Sequence, residues 1–319
     1  MSFSQILIVI DLDSEVDVIT SLAGKLAAKT SASFFVLGVL PEFPAPTFKN
    51  SRATKAAQLI AGQFADALKE KVDRVVAELP DDTSTSLVSG RLVEEADKAV
   101  IINHADLVLK TAAPSSEGSA PRFGGIDKRL IRNCPVPVWV VRSDIGSDFD
   151  RIAVAIDRPD GYADYEERRN LALDQLAHSA QLATSLGIET VDVIYAWDAV
   201  GFDTIRSARS GMTPQEANEY MQDCEQDSVA WITDFLQTAT KLFKGNVPKF
   251  VPHPVFGRPR QVLVNKVHEL ESDILILGTI ARSGVLGLLI GNTAEDILDR
   301  VECSILAIKP GAEIESSEQ

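Results

Sequence analysis

Short apolar runs recur along this chain, and between them apolar residues return every three or four positions. In the first half the runs are Ile6–Leu12, Ala32–Leu40, Ser86–Ser89, Leu107–Lys110 and Val138–Arg142. An uninterrupted apolar run of strand length suits a parallel strand covered on both faces. Ile19, Leu22, Ala23 and Leu26 fall at helical spacing between the first two runs. In the second half Leu173, Leu176, Ala180, Ala183 and Leu186 do the same, and Gly187 supplies a helix stop. Buried strands alternating with amphipathic helices predict an α/β chain with doubly wound parallel sheets.

The pattern occurs twice. ILIVID at Ile6–Asp11 reads against IAVAID at Ile152–Asp157, a spacing of 157 − 11 = 146 residues. Farther along, Gly90-Arg91, Asp106 and Gly124 return as Gly257-Arg258, Asp273 and Gly291, at a constant 257 − 90 = 167. The second copy therefore carries extra residues between its first strand and Gly257, assigned to the loops Arg158–Asn170 and Gly201–Glu216, rich in charge and turn formers. The expected organisation is a first domain over residues 1–145 and a second over 150–311. The polar stretch Ser143–Asp150 joins them, and a short acidic tail over 312–319 follows. The junction is too short for a free linker, so the halves are expected to form an intramolecular pseudo-dimer. A monomer or weak homodimer is the expected state of the chain.

Charge narrows the function classes. The net charge of −15 over 319 residues opposes nucleic-acid binding, which needs Lys and Arg to neutralise phosphates. It also opposes docking on an anionic membrane. Hydrophobic residues make up 45% and aromatics 6%, favouring helices on a buried sheet over an all-β sandwich. Cys134, Cys224 and Cys303 are far apart and form no Cys-x-x-Cys pair, and Cys134 and Cys303 read as small buried hydrophobes. The start, MSFSQILIVIDLDSE, lacks a basic leader region, and the apolar neighbourhood Ile274–Ile290 is interrupted by Arg282 and glycines. A cytoplasmic location is expected.

In a doubly wound sheet, ligands bind beyond the carboxyl ends of the strands, where the strand order reverses. Asp157 ends the first strand of the second copy, and Gly278 ends its fourth, followed by Thr279. Thirteen residues after Gly278, Gly291 opens a helix. Asn292 is a good N-cap and Glu295 completes a capping-box pattern, so the free N–H groups of that turn, with the Thr293 hydroxyl, form an anion cradle. Arg282 adds a possible charged clamp. The same Asn292 and Glu295 equally well do no more than start a helix. The candidate ligand residues are Asp157, Gly278, Thr279, Arg282, Gly291, Asn292 and Thr293.

GTIARSGVLGLLIGNTAEDIL resembles the signature of the universal stress protein family, in which Gly, two residues, Gly, nine residues, Gly and Ser/Thr hold the ribose and phosphates of ATP. DLVLKTAAP and DKRLIRNCPVPVWVV resemble the first half of the tandem, E-type members, and the likeness covers essentially the whole chain. The resemblance implies two domains of the adenine nucleotide alpha hydrolase-like fold. It further implies that Asp157 contacts adenosine, with Mg²⁺ accompanying any bound ATP. Two departures stand out: Ala281 replaces the middle glycine, and Asn292 stands where ATP binders carry Ser or Thr. In the first copy Thr111, Pro114, Gly124 and Gly125 occupy the signature places, which argues against a phosphate site there. ATP and another elongated or amphipathic ligand both remain open for the second copy.

Other chemistry is thin. His104, His178, His253 and His268 lack metal-ligand spacing, and neither a Gly-x-Ser-x-Gly elbow nor a phosphate loop ending in Gly-Lys-Ser/Thr occurs. Gly90 and Gly257 read as turn glycines, and Asp106 and Asp273 as turn or cap residues. Tyr195 and Trp197 end a strand near Asp157, where they either line a pocket or cover the sheet. The expected function is a stress-response protein with a non-catalytic, ligand-binding second domain. The alternatives are a weak ATPase or phosphoryl-transfer enzyme, and an interaction scaffold with both sites closed.

Overall fold

The computed structural model describes residues 3–42, 51–112, 123–159, 165–199, 201–205, 211–243, 245, 247–279 and 292–309. The first repeat runs β1 (Gln5–Ile10), α1 (Val16–Lys29), β2 (Ser33–Leu40), α2 (Ser51–Val76), β3 (Ser84–Ser89), α3 (Leu92–Asn103), β4 (Leu107–Thr111), α4 (Gly125–Asn133) and β5 (Val138–Val141). The second runs β6 (Ile152–Ile156), α5 (Tyr165–Leu186), β7 (Thr190–Trp197), α6 (Phe202–Ile205), α7 (Pro214–Leu242), β8 (Lys249–Phe256), α8 (Pro259–Glu269), β9 (Ile274–Gly278), α9 (Asn292–Leu298) and β10 (Ser304–Ile308). Among the described residues no helix is long and apolar enough to cross a membrane.

Two compact units result. One comprises Met1–Phe149 with Thr279–Gln319, the other Asp150–Gly278. The division does not follow the repeat boundary alone, because the last helix and strand of the second repeat belong with the first. In the larger unit the order is β3-β2-β1-β4-β5, all parallel, and β10 then lies antiparallel to β5, with Leu306 opposite Trp139. The smaller unit has the parallel order β9-β6-β7-β8. Alternating strands and helices predict the parallel pairs, since each crossover returns the chain in the same direction. They say nothing of pairing between copies, which is what the antiparallel β5–β10 ladder is.

The apolar runs are buried as their composition requires: Ile6, Leu7, Ile8, Val9 and Ile10 are inaccessible to solvent, as are Ile274, Leu275 and Ile276. The face of α1 formed by Ile19, Leu22, Ala23 and Leu26 is buried on the sheet. On β8, Pro252 and Pro254 lack the N–H needed for further pairing, which suits an edge position in its unit.

The repeat persists in the bonding. Asp106 accepts from the Ser4 N–H (2.7 Å), the Ser4 hydroxyl (2.6 Å) and the Gln5 N–H (3.1 Å), holding the entry to β1. Asp273 accepts from the Asp150 and Arg151 N–H groups at 2.8 and 2.9 Å, holding the entry to β6. Both therefore act as tethers at the amino ends of the central strands. The N–H of Gly90 donates to Leu40 O (2.9 Å), and that of Gly257 to Trp197 O (2.8 Å). At Gly257, with φ +129°, a side chain would be strained and a Cβ would come within 2.7 Å of Val262, so glycine is required by the turn itself.

Candidate functional site

In each repeat the central strand, β1 or β6, is the switch point: one neighbour follows it directly and the other arrives by crossover. Asp11 and Asp157 stand immediately beyond these two strand ends, and their surroundings differ.

Asp157 keeps a half-exposed carboxylate, its side chain 54% accessible, and Arg168 on the first turns of α5 donates to it at 3.1 Å. The next residue, Arg158, pairs with Asp227 of α7 and lies over the Trp231 ring, 5.6 Å from its centroid. Burial works to lower the pKa of the Arg158 guanidinium. The Asp227 carboxylate and the Tyr195 hydroxyl outweigh it, so the net shift is upward and the group stays charged. Tyr195 is itself buried, with Trp231 packed on it at 4.6 Å. The long helix α7, the counterpart of α2, thus fastens onto the end of β6 through a cation, a carboxylate and two rings. Of the two aromatics read as candidates for a pocket, Tyr195 is spent in this cluster.

Gly278 ends β9 as expected, and its neighbours explain the glycine. A Cβ there would lie 2.6 Å from Leu171 Cδ2 and 3.3 Å from Gln175 Oε1, both on α5. Gln175 also donates to Ala155 O at 2.6 Å, fixing α5 against β6. Close helix–strand packing therefore uses the face of Gly278. Thr279 is buried, and both its N–H (3.0 Å) and its hydroxyl (3.2 Å) donate to Ile308 O of β10. The N–H bond repeats one in the first copy, from Ala112 N to Val141 O at 2.7 Å. Thr293 is half-buried on α9 in the larger unit. Glu295 pairs with Arg132 of α4, so its carboxylate is engaged across to another helix. Arg282, Gly291 and the departure Ala281 lie outside the described residues, as do the apolar stretch 284–290 and the Asn292 side chain.

The first repeat holds three charges where the second holds one. Lys110, 1% accessible near the carboxyl end of β4, places Nζ 3.2 Å from Asp127 Oδ1 and 3.5 Å from Asp11 Oδ2. The same ammonium donates to Thr111 O at 2.8 Å. Asp127, fully buried on the first turn of α4, accepts from the Gly124 N–H at 2.8 Å. The anion that a helix N-terminus attracts is thus supplied internally, by a carboxylate. Asp11, 16% accessible, also accepts from the Ser14 hydroxyl at 2.7 Å. At the constant spacing of the repeat, Leu277 and Ala294 occupy the places of Lys110 and Asp127, and both are buried and uncharged.

Lys110, Asp127, Arg168 and the Arg158–Asp227 pair are residues that sequence reasoning passed over. A visible signal existed only for Lys110, a lysine inside the apolar run LVLKT. The other contacts depend on which helix face meets which strand end.

Elsewhere the ionisable groups fill structural roles. Cys134 is buried, and loss of hydration pushes its thiol up to about 12, the inert small hydrophobe expected of it. Among the described residues no three His, Cys, Asp or Glu side chains are grouped to hold a metal ion. His253 bonds to Asp192 at 2.7 Å and His178 to Asp174 O at 2.8 Å. Asp174, half-buried on α5, has its carboxyl pushed up to about 6 by burial. A carboxyl whose folded pKa exceeds its unfolded value favours folding while protonated. The contribution is complete below pH about 4 and is lost as the pH rises through about 6. Asp174→Asn is therefore expected to raise the unfolding free energy by about 1 kcal/mol at pH 7.5, a figure discounted for partial exposure, and to change nothing at pH 4. Urea melts at the two pH values check this.

Two parallel α/β repeats, each with a carboxylate at its switch point, define a tandem doubly wound protein. The model of the universal stress protein family matches residues 2–142 and again residues 148–309. The chain belongs to the universal stress protein family, as a tandem member. It is 27% identical to universal stress protein E of Salmonella typhi over 212 residues, 66% of this chain and 63% of that one. It is 26% identical to the Escherichia coli K12 protein of the same name over 221 residues, covering 69% and 66%. The match to the Salmonella relative thus spans less than two thirds of that protein. Among solved structures, a functionally unknown protein from Pseudomonas aeruginosa PAO1 superposes with TM-score 0.62 at 20% identity, over 97% of this chain and 93% of that one. A universal stress protein from Archaeoglobus fulgidus DSM 4304 gives 0.57 at 15% identity, over 96% of each. These likenesses carry the fold, and family membership supports a role in the stress response.

Proposed function

We propose that this is a stress-response protein whose second repeat binds a small ligand of the nucleotide class without turning it over, while the first repeat serves as a closed scaffold. The observation that carries the reading is the asymmetry between the two strand ends. Beyond β1, Asp11 is tied to a hydroxyl and faced by a buried ammonium–carboxylate pair. Beyond β6, Asp157 is half-exposed beside Arg168, and uncharged residues stand where the first repeat has its pair. A carboxylate able to accept from ribose or base hydroxyl and amino groups, next to a guanidinium, suits a polar anionic ligand. With the reading go a cytoplasmic location and a pairing of repeats within the chain, through β5 and β10, in a monomer or weak homodimer.

Native mass spectrometry of freshly purified full-length protein tests it, beside Asp157→Ala and Asp11→Ala. The expected result is a nucleotide-sized adduct, or a thermal shift with ATP and Mg²⁺, that Asp157→Ala abolishes and Asp11→Ala leaves intact. No adduct and no shift overturns nucleotide binding. Phosphate release above background that depends on Asp157 overturns the non-catalytic reading.

A further inference from the structure

A second site lies in the smaller unit, away from Asp157 in sequence and built from different residues. The carboxyl ends of β7 and β8, with one face of α7, frame an open cleft of ≈ 330 Å³ lined by Trp197, Asn218, Met221, Gln222, Glu225 and Phe256. That volume falls in the range of small-molecule sites.

Its floor is aromatic. Trp197 and Phe256 are register partners at the last positions of β7 and β8, with ring centroids 4.9 Å apart. Phe202 of α6 packs edge-on against Phe256 at 4.7 Å. Phe256 stays 36% accessible, so ring surface is offered to solvent and not consumed in the core. The wall opposite comes from α7, where positions 218, 221, 222 and 225 share one helical face. Met221 supplies a flexible, polarisable thioether there.

Charge selects the ligand. Glu225 is exposed, and among the described residues it is the one formally charged side chain of the lining, with no Lys, Arg or His beside it. A phosphate or carboxylate would meet that negative charge without a compensating cation among the described lining residues. An ammonium group would meet the carboxylate and the accessible ring of Phe256 together, with the edge of Trp197, 7% accessible, behind it. Its apolar substituents would cover the rings, and the amides of Asn218 and Gln222 would face the polar end of the molecule. The first repeat lacks the arrangement, since Leu40 and Ser89 form the equivalent register pair. We propose that this cleft binds an organic cation, an ammonium group carrying apolar substituents. Helix α7, which stands where the first repeat has α2, supplies half of that site.

Choline and its uncharged isostere 3,3-dimethylbutan-1-ol are the probes, titrated into the full-length protein while the Trp197 indole N–H resonance is followed by NMR. Saturable binding of choline is expected, with the alcohol about tenfold weaker because it lacks the charge. Glu225→Gln, a surface change that leaves the fold intact, is expected to erase most of that preference, and Trp197→Leu to abolish binding of both probes. Asp157→Ala is expected to leave choline affinity unchanged, which separates this site from the proposed nucleotide site. Equal affinity for the two probes, an unaltered preference in Glu225→Gln, or no saturable shift with choline overturns the proposal.

Discussion

Lys110→Leu is expected to lower the unfolding free energy of the chain by about 3–5 kcal/mol, the largest effect of any single substitution argued from this structure. The side chain is 1% accessible, and its ammonium is what compensates Asp127, which is fully buried. Removing the cation strands a carboxylate in a site that cannot hydrate it, and breaking a buried pair costs far more than the pair contributes. The double variant Lys110→Leu/Asp127→Ala installs the residues that the second repeat carries at the same places, Leu277 and Ala294. It is expected to recover most of the loss, because replacing a whole buried pair with apolar groups is often neutral or better. Urea unfolding of the wild type, both single variants and the double variant measures the coupling directly. Additive single and double losses would show that the pair is no unit, and with it would fall the picture of a first repeat closed by its own charges.

Gly278→Val comes next, with an expected loss of about 2–3 kcal/mol from overpacking. Even a single methyl at this position would stand 2.6 Å from Leu171 Cδ2 and 3.1 Å from Leu171 Cγ, so α5 must shift or Leu171 must leave its rotamer. The compensating variant Gly278→Val/Leu171→Ala frees that volume and is expected to regain part of the stability. Thermal melts without added ligand make the comparison. The outcome bears on function as well as packing. A glycine kept for a ligand would tolerate Val in the ligand-free protein, whereas one kept for helix packing would not. A loss rescued from α5 assigns Gly278 to packing, and an unperturbed melt returns it to the ligand.

The parallel strands were legible because central strands buried on both faces leave a clear record, apolar runs such as those of β1, β4, β6 and β9 separated by helical periodicity. The duplication was legible too, since Gly90, Asp106 and Gly124 recur at one spacing as Gly257, Asp273 and Gly291. Recurrence marked Asp106 and Asp273 as turn or cap residues, whereas the structure makes them long-range tethers for the central strands. The candidate site was legible only in part. Asp157 was placed by its position at the end of an apolar run, but Arg168 reaches it from eleven residues away on a helix whose rotation no local pattern specifies.

Sequence alone, then, determined the fold class, the two copies and the strand ends at which Asp11 and Asp157 stand. These rest on local periodicity and on repetition, which are properties of neighbouring residues. Tertiary structure decided that Gly278 faces Leu171 and that Thr279 is bonded to β10. It also decided that Lys110 fills the first repeat's switch point, and that Trp197 and Phe256 meet at the rim of a cleft. Each of these depends on strand register and on which helix face is turned inward. Such contacts join residues tens to more than a hundred positions apart, and only the packed chain brings them within reach.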